Sequence, residues 1–158
     1  MTAVKPITAA VAISAAVPGD APAIAALLRD ADLPHEDFAE HLANFIVARR
    51  GGEVVGAVGF ELHSRDALLR SLVVAPAYRG TGLGGELVDR LAAEARCRAA
   101  KRFYLLTTTA EAFFARRGFE RIARQAVPAA IASTKEFNSL CPSSAICMTR
   151  AVEAAEAS

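Results

Sequence analysis

At 158 residues the chain fits one domain of ordinary size, long enough to bury a core. Its 18 Lys and Arg against 17 Asp and Glu leave a net charge of +1, which argues against the basic face of a nucleic-acid binder. The pairs Arg49-Arg50, Lys101-Arg102 and Arg116-Arg117 read as solvated strand or helix ends, and the odd count of three cysteines suggests no disulfide framework.

The apolar run 8–17 is shorter than the roughly 20 residues that span a bilayer. It flows into an amphipathic helix pattern without the polar break of a cleavage site. A first strand is therefore expected there, in a cytoplasmic protein with no membrane partner. Val17-Pro-Gly-Asp20 breaks that strand, and Asp20 reads as a helix N-cap with Pro22 in the first turn. Ile24, Leu27, Leu28 and Ala31 fall on one helical face. Phe38 and Leu42, four apart, suggest a second short helix over 35–42. A strand over 45–49 meets a hairpin turn at Gly51-Gly52 and returns over 53–62. After a turn at Ser64-Arg65-Asp66, a further antiparallel strand covers 67–74.

The run Ser71-Leu-Val-Val-Ala-Pro-Ala-Tyr-Arg-Gly-Thr-Gly-Leu-Gly-Gly85 is the most informative stretch. A strand end, a glycine turn and a helix N-terminus bring backbone N–H groups and a positive dipole end together. That combination binds anions, phosphate above all. Leu83, Leu87, Val88, Leu91 and Ala95 then repeat at helical spacing. The nearly continuous apolar strand 102–107 suits burial on both faces, parallel to its neighbour through the helical crossover. A short helix over 111–117 ends at Gly118, a position for a left-handed cap. Closing strands over 119–124 and 145–152 flank an irregular insertion, 128–143. An exposed edge strand at 145–152 would suit a homodimer.

These residues resemble the GNAT superfamily of N-acetyltransferases. Arg79-Gly-Thr-Gly82-Leu-Gly84 meets the family's pyrophosphate signature, Arg/Gln-x-x-Gly-x-Gly/Ala. Leu72-Val-Val-Ala-Pro76 resembles the preceding fourth strand, and Ala112-Phe-Phe-Ala-Arg-Arg-Gly-Phe119 the late helix with its Gly-Phe ending. The likeness in element order covers roughly 8–150. It implies one α/β (α+β) domain over 1–158, with its core at about 8–152. The sheet would be mixed and mostly antiparallel, of about seven strands with flanking helices, splayed as a V between strands 4 and 5. Other phosphate motifs fit less well. No lysine lies between Gly80 and Ala100 for a P-loop, and the antiparallel meander before Gly80-x-Gly82-x-x-Gly85 is foreign to a dinucleotide fold.

The resemblance implies an enzyme using acetyl-CoA as co-substrate, its pyrophosphate on Arg79, Gly80, Thr81, Gly82, Leu83, Gly84 and Gly85. The pantetheine arm would pair with Leu72, Val73 and Val74, and a backbone N–H near Val74 would polarise the thioester carbonyl. An attacking amine must lose a proton, and Glu61, near the end of its strand, is the candidate base. The alternative is an exposed strand-end glutamate. Many relatives carry an acidic tyrosine where this chain has Phe114, which has no proton to give and would stand only as an apolar cofactor contact.

Finer likeness in 67–76, 104–110 and 134–145 points to a bacterial subgroup associated with arsenic resistance. It implies a small-molecule amine acceptor, with an amino-acid-like organoarsenical as one candidate. Arg70 could bind an acceptor carboxylate or form an internal ion pair with Asp66 or Glu61. Thr107 and Thr109 could hydrogen-bond the acceptor or cap the next helix. Cys141 and Cys147 read as structural, and His35, His41 and His63 share no ligand spacing, so no metal is expected. Two rival readings stay open: a protein or peptide N-acetyltransferase, and a catalytically idle acyl-CoA-binding sensor.

Overall fold

The structure is a computed structural model that describes residues 11–153. Seven strands form one mixed sheet in the order β1-β2-β3-β4-β5-β7-β6. They are β1 (Val11–Ala15), β2 (Phe45–Arg50), β3 (Glu53–His63), β4 (Asp66–Val74), β5 (Arg102–Thr107), β6 (Glu120–Arg121) and β7 (Ile146–Ala151). The helices are α1 (Ala21–Asp30), α2 (Leu83–Cys97), α3 (Glu111–Arg116) and α4 (Ala129–Ala132). Among the described residues no helix is long and apolar enough to cross a membrane.

The chain divides into two compact units, 11–59 with 71–91, and 60–70 with 92–153. In the first, β1 and β3 flank β2 antiparallel. The β2–β3 turn is Gly51-Gly52, both at positive φ, +58° and +94°, as a tight hairpin requires. Ile24 and Leu28 of α1 pack with Phe38, Phe45, Val47, Ala57 and Val73. Gly59 is a packing necessity, because a Cβ there would stand 2.2 Å from the Phe45 ring. Gly56 is close behind, 3.1 Å from Leu87 of α2 and 3.2 Å from the Val73 carbonyl.

In the second unit β5 pairs parallel to β4 and antiparallel to β7. The parallel ladder joins Asp66–Leu68 to Arg102–Tyr104 and stops there, although β4 runs on to Val74 and β5 to Thr107. Ser71, just beyond it, holds φ +62°, an uncommon backbone for a side-chain-bearing residue inside a strand. That break is the expected splay. Leu68, Tyr104, Val127, Ile131 and Cys147 form the local core. Arg150, buried, donates to the carbonyls of Arg117, Ala151 and Val152 and lies over the Phe103 and Phe119 rings.

Several expectations need correction. Residues 8–10 of the first apolar run lie outside the described residues. Asp20 occupies the N-cap position of α1 without capping it. Its carboxylate instead accepts from Arg49, at 2.7 and 2.6 Å, and from the Val17 N–H at 2.8 Å. The second helix is a 3₁₀ segment displaced to Phe38–Asn44. The strand expected over 119–124 is only Glu120–Arg121, since the chain turns into a 3₁₀ segment at Arg124–Ala126. The insertion is not irregular: it holds α4 and a single π turn, Glu136–Leu140. Nor is β7 an edge, because β6 pairs with Met148 and Thr149, and this removes the premise for a dimer through it.

Candidate active site

The glycine turn follows from how β4 ends. The Ala75 N–H donates to the Val55 carbonyl at 2.8 Å, and Pro76–Tyr78 forms one 3₁₀ turn. Buried Tyr78 anchors that turn, its hydroxyl accepting from Arg50 at 3.0 Å. Exposed Arg79 donates through Nε to the Val74 carbonyl at 3.0 Å, tying the turn to the strand end. The Thr81 hydroxyl donates to the Tyr78 carbonyl at 2.6 Å. Gly80 and Gly82 hold φ +80° and +90°, and a Cβ on either would meet nothing within 4 Å. These glycines are required by backbone conformation, and the space over them is open.

The first turn of α2 closes when the Glu86 N–H donates to the Gly82 carbonyl at 3.1 Å. The amides of Leu83, Gly84 and Gly85 precede that bond, so the helix itself offers them no partner. With the positive dipole end they make a cradle that suits a phosphate-bearing cosubstrate. Of the strand residues expected to flank such a ligand, Val73 is buried in the core, while Leu72 and Val74 are half-buried.

The second unit holds a buried charge cluster. Glu61 of β3 is 4 % exposed, so it is not a solvated strand-end glutamate. Its Oε2 accepts from Arg70 Nη1 at 2.7 Å, and His63 Nε2 lies 3.3 Å from its Oε1. Arg70, 2 % exposed, also faces Glu136 through Nη2 at 3.2 Å. The internal ion pair offered as the alternative for Arg70 is thus present, and a second carboxylate shares it. A buried guanidinium is tolerable only with such counter-charges and hydrogen bonds. Glu136 arrives from the π turn, which Thr134 sets up. Buried Thr134 donates to the Ile131 carbonyl at 2.8 Å, while its carbonyl accepts from the Asn138 N–H at 2.9 Å.

Sequence reasoning missed Glu136. The available signal was that a buried arginine beside one glutamate leaves donors to satisfy, and an isolated acid lay in the insertion. Cys141 donates its S–H to Glu136 Oε1 at 3.3 Å. Burial, and then the Glu136 charge, push the Cys141 thiol up to about 12, and burial pushes Cys147 up to about 11. Both are held as neutral thiols, the reverse of a thiolate site.

The Thr107 hydroxyl accepts the Ala110 N–H at 3.0 Å, the helix-capping alternative, and Thr109 is exposed. Phe114 is buried, edge-on to Phe113 and Phe119 at centroid distances of 5.0 and 5.3 Å.

Residues 41–121, which include the glycine turn, match the sequence pattern of the acetyltransferase (GNAT) domain. An amino-acid acetyltransferase of Pseudomonas fluorescens is 36% identical over 93 residues, 58% of this chain and 22% of that protein. The chain thus spans about a fifth of the length of such curated relatives. The N-acetylglutamate synthase of Neisseria gonorrhoeae, solved with coenzyme A and N-acetyl-glutamate, superposes at TM-score 0.80 with 24% identity, over 91% of this chain and 35% of that one. At that identity the likeness speaks for the fold. The Rv2747 protein of Mycobacterium tuberculosis, solved in complex with CoA, gives TM-score 0.76 at 28% identity, over 89% of this chain and 98% of that one. A pattern match over half the chain, taking in the glycine turn and the start of α2, establishes that the chain belongs to the acetyltransferase (GNAT) domain family.

Proposed function

We propose that the protein transfers an acetyl group from acetyl-CoA to the amine of a small amino acid. The observation that carries this reading is the glycine turn inside the family-matched stretch. Two left-handed glycines with open space over them lead into a helix start whose first three amides the helix leaves without a partner. Those amides and Arg79 would hold the pyrophosphate. Acetyl-CoA supplies an acyl group already activated as a thioester.

The chain's own part is to position the acceptor and remove its proton. Glu61 would take the proton from the acceptor ammonium, directly or through water, because an ammonium has no lone pair. The nitrogen then bonds to the acyl carbon as the C–S bond breaks, with the Val74 amide polarising the carbonyl, and the second proton of the nitrogen passes through water to the departing thiolate. Phe114 offers no proton to the leaving thiolate, which needs little help because an ordinary thiol has a pKa near 8.5.

The relatives named for amino acids support the acceptor class. The likeness of 67–76, 104–110 and 134–145 to the arsenic-resistance subgroup adds an amino-acid-like organoarsenical as a narrower candidate. The test is thiol release from acetyl-CoA with amino acids, their decarboxylated amines and lysine peptides, with products identified by mass. Acetylation confined to amino-acid amines is expected. Peptide-only acetylation would favour the protein-directed reading. Stabilisation by CoA with no product from any amine would favour the idle sensor. Glu61→Gln should lower turnover and flatten the pH–rate profile, and an unchanged profile would remove Glu61 from the base role.

A further inference from the structure

If the acceptor is an amino acid, something must read its carboxylate, and both terminal nitrogens of Arg70 already face protein carboxylates. Another arginine of the same unit differs. Arg124 lines an open cleft of about 340 Å³ with Arg121, Ile122, Ala145, Ile146 and Cys147. The cleft lies where β7 begins, and Ile146 is in register with Thr107 at the end of β5.

The nitrogens of Arg124 are unequally used. Nη1 donates to the Ser143 carbonyl at 3.4 Å, and the guanidinium lies over the Phe137 ring at 5.6 Å. Nε and Nη2 are shut off from solvent and donate to nothing among the described residues. Those two nitrogens form the fork edge of a guanidinium, the edge that grips a carboxylate with two parallel bonds. Arg121, three residues earlier, shows that use: its Nε and Nη2 both donate to the Glu111 carboxylate, the second at 2.8 Å. Arg124 has the same edge without an acceptor, and a desolvated donor left unmade is costly. The lining holds no carboxylate. Cys147, on its wall, is a neutral thiol.

We infer that Arg124 is a specificity-determining residue whose fork edge, covered in this structure, swings into the adjoining cleft to bind the carboxylate of the acceptor. The assignment to the acceptor rests on the proposed amino-acid acetyltransferase reading. Carboxylate binding by the cleft does not, so the two can be tested apart.

The direct test is calorimetric titration of the unaltered protein with glutarate, and with its uncharged diamide as the matched control. Glutarate should bind and the diamide should not. Arg124→Gln should weaken glutarate roughly tenfold or more, the usual effect of losing a charge-assisted hydrogen bond. Arg124→Lys, which keeps the charge and loses the fork, should fall between, and it serves as the test if the Gln variant fails to fold. No measurable glutarate binding by the unaltered protein, or equal affinity in the folded variants, would overturn the inference. Acetyl-CoA thiol release is the separate readout. Its absence with every amino acid, alongside intact Arg124-dependent glutarate binding, would count against the catalytic reading and leave the carboxylate cleft standing.

Discussion

Arg70 sits on β4 with its side chain wholly shut from solvent, and its charge is met by Glu61 and Glu136. Removing the cation would take a buried counter-charge from both carboxylates, so Arg70→Leu should destabilise the fold by about 3–5 kcal/mol, read from denaturant midpoints. A loss below about 1 kcal/mol would mean that water already reaches the cluster. Asp20 gives a prediction with a pH signature. The hydrogen bond from Arg49 holds its carboxyl below the usual carboxylate range. The unfolded chain therefore binds the proton more readily, and the stabilisation is present at neutral pH. It is lost as the pH falls through the lowered pKa of Asp20. Asp20→Asn should be less stable than the unaltered protein at neutral pH and converge with it in acid. Parallel stability curves would show that the pair contributes nothing.

At the scale of elements, glycines do two different jobs, and substitution separates them. At Gly82, φ +90° strains any other residue while the space above stays open. Gly82→Ala should cost about 1–2 kcal/mol from backbone strain and should also weaken CoA binding. At Gly59 the backbone is ordinary and the space is filled by Phe45. Gly59→Ala should therefore cost about 1–3 kcal/mol by overpacking and leave CoA affinity of the folded fraction unchanged. Equal effects of the two on CoA affinity would contradict this division. The turn at 79–85 was legible in the sequence because its signal is local: glycines, a strand end and a helix start within fifteen residues. The π turn at Glu136–Leu140 was not, because its cause is distant. Glu136 is held inward by Arg70, more than sixty residues earlier in the chain. Arg124 was hidden likewise, since only three-dimensional neighbours reveal which of its nitrogens lack an acceptor.

For the whole molecule, element order and sheet type followed from periodicity, with β1–β4 as a meander and one parallel crossover through α2. The end of the chain was harder to read. The run from 119 looks strand-like throughout, yet only Glu120–Arg121 pairs with β7. Pairing partners, which decide whether β7 is an edge or interior, are a property of the sheet that no single strand carries. The buried charge cluster and the Arg124 cleft were least legible for the same reason: Glu61, Arg70, Glu136 and Arg124 come from four separate segments. The donor side and the acceptor side meet in a single measurement, the mass-resolved products of the protein incubated with acetyl-CoA and an amino-acid panel. One amino-acid amine acetylated for each CoA thiol released is the predicted result. No product from any amine, together with no stabilisation of the fold by CoA, would contradict the account, because a specific ligand must raise stability by mass action.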